Sequence, residues 1–242
     1  MITLPSVSRA AAVAVAAGFA VSASASASPA LPEDAPVSHY GLAAADLHDF
    51  HGGIHGSFAK RNVKAHGFES EIKADRVNAY LGYDLTRALT VYALGGLLDV
   101  EDEDEGIDDS SSVWGLGVWA RLIDDDAVSF LPTISRYHLN FGLEYSYSDP
   151  ADLSWSQVDG FLTFEIVNEN LLNNEFFPAT ASVFAGPVFT YVDLDGYEQV
   201  SDNNWGLTVG GALTFGHGCF VNGGCDIFND DTCGYFTAGV RF

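Results

Sequence analysis

The chain has 242 residues, and its 33 acidic side chains against 10 Lys and Arg give a formal net charge of −23 at pH 7. This balance argues against nucleic acid as a partner, because phosphate binding needs clustered cations. Aromatic residues make up 13% of the chain, which does not fit a disordered composition. The length is sufficient for one substantial core or one barrel.

The first residues have the pattern of a secretory signal peptide. Arg9 precedes an apolar run over residues 10–21, which is too short to span a bilayer. Small residues at alternate positions then follow within residues 23–27, as in a cleavage site. We expect a signal peptide over residues 1–27 and a Pro- and Ala-rich periplasmic linker over residues 28–50. A retained membrane anchor is the alternative.

Alternation along residues 136–148 is the clearest pattern that follows. The apolar set is Tyr137, Leu139, Phe141, Leu143, Tyr145 and Tyr147. The polar set between them is Arg136, His138, Asn140, Gly142, Glu144, Ser146 and Ser148. Successive side chains of a strand point to opposite faces. A membrane-spanning barrel strand needs about 9–11 residues, with an apolar outer face and aromatic residues at both interfaces. The pattern therefore predicts a strand whose apolar face contacts lipid.

Similar alternation elsewhere predicts about ten antiparallel strands. Clear strands are expected at residues 75–85, 89–100, 113–122, 156–166, 179–192, 205–215 and 234–242, and weak ones at 53–63 and 224–228. We expect an all-β fold, a closed antiparallel transmembrane β-barrel over residues 51–242. Eight strands are the alternative if the weak segments do not pair. A soluble secreted β-sandwich is the alternative fold.

Polar segments are expected to connect the strands. Residues 101–112, EDEDEGIDDSSS, are predicted to form a solvated extracellular loop, which could also attract Ca²⁺ or Mg²⁺ through its carboxylates. Residues 124–126 are predicted to be a short turn. Residues 221–224 contain Asn-Gly, a strong hairpin signal. Pro187 falls inside a predicted strand, where it requires a bulge or a disturbed ladder.

The signal peptide, the alternating strands and the C-terminal segment together resemble the small outer-membrane β-barrel superfamily, the class of OmpA, OmpX and opacity-type barrels. In that family, a terminal Phe preceded by alternate apolar residues is the signal read by the barrel-assembly machinery. Phe236, Ala238, Val240 and Phe242 match this signal. The resemblance implies the outer membrane of a Gram-negative-type bacterium, with outer-membrane lipid and lipopolysaccharide as partners. It covers residues 51–242 and selects no individual member.

Charged residues on the predicted inner faces form a candidate lumen network. They are Arg76, Asp84, Arg121, Arg136, His138, Glu144, Asp159, Glu165 and Arg241. A barrel of this size has an interior little wider than its own side chains, and unpaired buried charges are costly. We expect a salt-bridged, side-chain-filled lumen and a structural or surface-interaction role. A narrow ion- or solute-conducting pore is the alternative, because glycines on the inner faces would leave space.

An outer-membrane lipid-modifying enzyme is a further alternative. Barrel lipases and lipid A deacylases use a His with a nearby Ser on a strand. Here Asn140 stands two residues after His138, where Ser would be, and Ser135 belongs to the opposite face. A nucleophile needs a base within hydrogen-bond reach, so we expect neither catalysis nor a cofactor.

The histidines concentrate near the predicted first strand. His48, His51 and His55, with nearby carboxylates, are candidate ligands for Zn²⁺ or Cu²⁺, although their spacing matches no defined site. A polar periplasmic approach to the first strand is the preferred interpretation.

The three cysteines predict one disulfide and one remaining thiol in an oxidising compartment. Cys225 and Cys233 could face each other across the last hairpin, and Cys219 could pair with Cys225. All three pairings stay open at this point.

Overall fold

The described part of the chain is almost entirely β-strand. The computed structural model describes residues 50–65, 68–86, 88–102, 107–127, 135–149, 154–169, 180–194, 199–200, 204–215, 218–229 and 231–241. The predicted signal peptide, the predicted linker up to residue 49, His48 and Phe242 lie outside these residues. Within them, no helix is long and apolar enough to cross a membrane.

Eleven strands follow one another along the described residues. They are β1 (Phe50–Ala65), β2 (Phe68–Thr86), β3 (Leu89–Asp102), β4 (Ile107–Ala127), β5 (Ser135–Ser148), β6 (Trp155–Glu169), β7 (Thr180–Leu194), β8 (Gln199–Val200), β9 (Trp205–Thr214), β10 (Cys219–Ile227) and β11 (Thr232–Arg241). Residue 50, which the sequence placed in the linker, is therefore the first residue of β1.

Ten of these strands close into an antiparallel barrel. Each pairs with the next along the chain, with β8 left aside, and β11 pairs with β1. The closing ladder runs from His51 opposite Arg241 to Lys60 opposite Thr232. The prediction of a closed ten-stranded barrel is confirmed. The eight-stranded alternative is wrong, because the weakly patterned β1 and β10 each pair on both sides. The single closed sheet also excludes the two-sheet sandwich.

The two ends of the barrel differ in height. We call the end where β1 begins and β11 finishes the terminal end, and the opposite one the distal end. At the distal end, β1 and β2 pair as far as Ala65 and Phe68, whereas β11 accompanies β1 only to Lys60. β8 pairs with Val63 and Lys64 on the edge that β11 leaves. The distal rim is therefore lowest at the β10–β11 hairpin.

Apolar side chains on the outer face form what we call the apolar belt. Its most exposed members include Leu81, Leu97, Trp114, Leu116, Leu143, Phe164, Val183, Trp205 and Leu207. Aromatic contacts lie towards both ends: Phe50 with Tyr83 near the terminal end, and Trp114 with Tyr145 and Tyr147 towards the distal end. Polar residues such as those of β5 alternate with the belt and are buried inside.

Several predicted turns are parts of strands. Residues 107–112 pair with residues 97–102, so much of the predicted acidic loop lengthens the β3–β4 hairpin. Residues 124–126 pair with β5 after a bulge between Arg121 and Ile123. The Asn-Gly of residues 221–224 lies inside β10, which pairs with both β9 and β11. Pairing on two sides thus outweighs the local turn preference.

β6 and β7 show the disturbance expected at Pro187. Their recorded pairs stop at Phe161 opposite Val188 and resume at Phe164 opposite Ala185. Pro187 lies in this gap and pairs with Leu207 of β9. The expectation of a disturbed ladder is confirmed, because proline donates no hydrogen bond to a neighbouring strand.

Candidate functional site in the barrel lumen

A histidine–carboxylate contact lies at the terminal end of the lumen. His51 Nε2 of β1 is 2.8 Å from Asp84 Oδ2 of β2, and both side chains are fully buried. Thr90 of β3 donates a hydrogen bond to the other oxygen of Asp84. Neighbouring strands thus bring these three groups together because each occupies an inward position.

Asp124 contacts two arginines and a histidine at the same end. Its carboxylate oxygens lie 2.6 Å from Arg121 Nη1, 2.9 Å from Arg136 Nη2 and 3.2 Å from His138 Nε2. The bulge between Arg121 and Ile123 adds one residue to β4 and so turns Asp124 towards the lumen. The sequence analysis missed Asp124, because three consecutive Asp residues have the composition of a turn.

Glu165 of β6 completes this terminal network. Its Oε2 accepts a hydrogen bond from Asn140 Nδ2 at 2.9 Å and lies 3.6 Å from His138 Nδ1. The Glu165 side chain is fully buried, and Arg241 of β11 is also buried. Most of the predicted lumen charges therefore lie at one end of the barrel.

An apolar cluster, which we call the apolar layer, extends through the lumen from Phe220, near the terminal end of β10, to Phe228 beyond its distal end. It consists of Tyr80, Tyr92, Leu94, Trp119, Phe161, Val188, Phe220 and Phe228. Two rings lie over a glycine on the adjacent strand: Tyr92 opposite Gly117, and Phe161 opposite Gly142. A Cβ at either glycine would come within 2.2 Å of the ring. The inner-face glycines, which the pore alternative needs as open space, are filled here by aromatic rings.

A buried ion pair adjoins the apolar layer. Arg76 Nη2 is 3.1 Å from Glu144 Oε1, and Arg76 Nη1 donates to Ser146 Oγ at 2.9 Å. The hydroxyl of Tyr92 donates to Glu144 Oε2 at 3.0 Å. Both carboxylate oxygens of Glu144 are thus engaged, as burial of a charge requires.

A polar cavity adjoins this pair. It has a volume of about 40 Å³, and its lining includes Arg61, Arg76, Glu144, Asp159, Phe161 and Asp226. That volume accommodates about three water molecules. Of the predicted lumen charges, Arg76, Glu144 and Asp159 meet here, whereas Arg61 and Asp226 were not anticipated.

The tall side of the barrel has a separate apolar core near the distal rim. Its members are Ile72, Ala74, Leu98, Val100, Val113, Trp155, Val192 and Leu194. On β3, the apolar face that includes Leu98 and Val100 points inward, while Val91 and Leu97 are exposed. An apolar face therefore does not by itself indicate contact with lipid.

His51 and His55 are barrel residues of β1, so their assignment to a periplasmic approach segment is wrong. His55 Nδ1 lies 2.9 Å from Thr237 Oγ1 of β11, and both side chains are buried. Among the described residues, no group of three or more His, Cys, Asp and Glu side chains is placed to hold a metal ion.

The predicted disulfide is also wrong, because the three cysteines are free. Cys225 is opposite Gly234, whereas Cys233 is opposite Asp226. Cys225 belongs to the outward set of β10, and Cys233 lines the cavity inside. The two thiols therefore point to opposite sides of the wall. Phe236 and Val240 of the expected assembly signal lie on the outer set of β11.

No family model and no curated protein matches this sequence. Among solved structures, the chain is similar to the translocator domain of the autotransporter NalP from Neisseria meningitidis, with a TM-score of 0.45 and 12% identity over 96% of each chain. It is also similar to an outer membrane channel from Pseudomonas putida F1, with a TM-score of 0.41 and 10% identity over 82% of this chain and 97% of that one. At these TM-scores, the likeness adds nothing to what the strands of this chain themselves show.

Proposed function

We propose that this chain is an integral β-barrel protein of a bacterial outer membrane, with a closed lumen and a structural or surface-interaction role. The observation that carries this proposal is the apolar belt around a barrel whose charges are buried inside. In water, such a belt would be a large exposed apolar patch. In a bilayer, a closed barrel satisfies its backbone hydrogen bonds and turns apolar side chains towards lipid.

The packing of the lumen supports the proposal that the lumen is closed. The terminal network, the apolar layer and the distal apolar core fill much of the lumen with paired charges or with contacting apolar side chains. An ion that entered the apolar layer would lose its hydration shell among aromatic and aliphatic side chains, which is strongly unfavourable. The proposed role includes no catalytic step.

The proposed partners follow from the proposed location. Outer-membrane lipid and lipopolysaccharide would contact the apolar belt and its aromatic ends. The barrel-assembly machinery would read the outward-facing Phe236 and Val240 together with Phe242. Divalent cations at the acidic distal hairpin remain part of this proposal, with Glu101 exposed there.

Cell fractionation combined with heat-modifiable gel mobility tests the membrane assignment. We expect the protein in the outer-membrane fraction, with different mobility before and after boiling. Recovery from the soluble periplasm without a mobility difference would contradict the assignment.

Single-channel recording on the refolded protein in planar bilayers tests the closed lumen separately. We expect no stable conductance steps. Reproducible steps would favour the small-channel alternative and leave the membrane assignment intact.

A further inference from the structure

We propose that the polar cavity on the distal side of the lumen binds a small organic cation through a primary ammonium group. The site consists of Asp159 on β6, Asp226 on β10 and the ring of Phe161, which line the same cavity. This inference goes beyond the proposed function, and it holds for the folded barrel in detergent as well as in a membrane.

Counted with His55 neutral, the charges that line the cavity do not balance. Two guanidinium groups, Arg61 and Arg76, face three carboxylates, Glu144, Asp159 and Asp226. The Arg76–Glu144 pair is neutral as a unit. Arg61, which lies over the ring of Phe228 at 5.5 Å, remains against two carboxylates. A confined net negative charge is costly, and one monovalent cation removes it.

The chemistry of the walls selects an ammonium group. A primary ammonium has three N–H donors, which match carboxylate oxygens supplied from two sides. Phe161 and Val188 supply an apolar surface for the attached carbon, and the ring attracts a cation through its π face. A hard divalent cation needs about six or more oxygen ligands, more than the carboxylates of Asp159 and Asp226 supply.

The cavity can be reached from the distal side. Ser57, Gln157, Asp159 and Cys233 face inward but are only partly buried. Asp226 and Cys233 pair with each other one residue from the ends of β10 and β11, where the rim is lowest. The volume of about 40 Å³ limits a ligand to a small head group.

The test uses the full chain refolded in an uncharged detergent and methylammonium chloride as the probe. Binding is measured by saturation-transfer NMR, with sodium chloride replacing methylammonium chloride at constant ionic strength. We expect saturable binding of methylammonium and none of the larger tetramethylammonium. Asp159→Asn and Asp226→Asn should each weaken binding at least about tenfold, the loss of one charge-assisted hydrogen bond.

Two further variants make the test specific. Asp193→Asn removes an exposed carboxylate from the outer set of β7 near the same rim, so binding should be unchanged. Arg61→Gln removes the cation that competes for the two carboxylates, so binding should tighten. Heat-modifiable mobility shows which variants are folded.

Three results would overturn the proposal: no saturable methylammonium signal, equal binding of tetramethylammonium, or full competition by an equal concentration of sodium. The proposal would also be overturned if folded Asp159→Asn protein bound methylammonium as tightly as the unsubstituted chain. None of these results bears on fractionation or conductance, so the proposed function is tested independently.

Discussion

Ion pairs of two energetic kinds occur in this barrel. The side chains of Arg76 and Glu144 are 8% and 3% exposed, whereas those of Lys60 and Glu71 are 59% and 49% exposed. Removing one member of a buried pair leaves its partner's charge in a poorly solvated site, while water and salt screen an exposed pair. Removing one member of the buried pair should therefore cost more stability than removing one member of the exposed pair, although the N–O distances are similar.

Glu144→Gln should lower the free energy of unfolding by about 3–5 kcal/mol. The matched change Glu71→Gln should cost less than about 1 kcal/mol. Denaturant unfolding of the refolded barrel in lipid vesicles, monitored by gel mobility, measures both. Equal costs would show that the lumen around Arg76 is as well solvated as the outer surface.

At the scale of single residues, the sequence predicts which side chains point into the lumen. It is less informative about which of these side chains contact one another. Alternation alone placed Arg76, His138 and Glu144 on inner faces. It could not bring Asp124 to His138, because the bulge that turns Asp124 inward has no local signature. It also could not pair His51 with Asp84 while the first strand was assigned a late start. Contacts across a lumen depend on register and closure, which local periodicity does not specify.

Cross-strand pairs of a glycine and an aromatic residue fix neighbouring elements against each other. Tyr92 of β3 covers Gly117 of β4, and Phe161 of β6 covers Gly142 of β5. Each glycine leaves room for a ring that reaches into the lumen. The small residue therefore serves the packing of the apolar layer.

Gly142→Ala should destabilise the barrel by about 1–3 kcal/mol, because the new methyl group overlaps the Phe161 ring. Gly95→Ala is the matched control on the outer set of β3, where the nearest heavy atom to a Cβ is 3.8 Å away. It should be neutral or slightly stabilising, since alanine lowers the entropy of the unfolded chain. Unfolding free energies of the two variants give the comparison, and equal effects would argue against ring-over-glycine packing.

Strands were predictable where alternation is long, as in β5, and less so where polar residues extend a hairpin. Residues 107–112 are acidic and Ser-rich, yet they pair with β3 across the hairpin. Asn222 and Gly223 have a strong turn preference, yet β9 and β11 hold them from both sides. These segments obtain their conformation from neighbours distant in sequence.

In the whole molecule, apolar side chains lie on both surfaces of the sheet. Only those on the outer surface contact the medium around the barrel, so only they indicate whether that medium is lipid or water. Leu143 lies near the middle of the outer set of β5, between Tyr137 and Tyr147, and is 44% exposed. Under the proposed function, lipid hydrocarbon surrounds the Leu143 side chain. A charge placed there would distinguish lipid from water.

Leu143→Arg should lower the free energy of unfolding in phospholipid vesicles by about 2–4 kcal/mol, which is the cost of a basic residue near the bilayer midplane. Ser112→Arg, on the outer set of β4 nearer the distal rim, should cost about 0–1 kcal/mol. Reversible folding titrations in vesicles provide both values. A nearly neutral Leu143→Arg would mean that this face of the barrel is in water.

The pairing of Gln199–Val200 with Val63 and Lys64 has a consequence for association between barrels. β1 continues beyond Lys60, where β11 no longer accompanies it, and an uncovered strand edge can recruit a strand from another molecule. The two residues of β8 cover this short edge and so protect it against edge-to-edge aggregation.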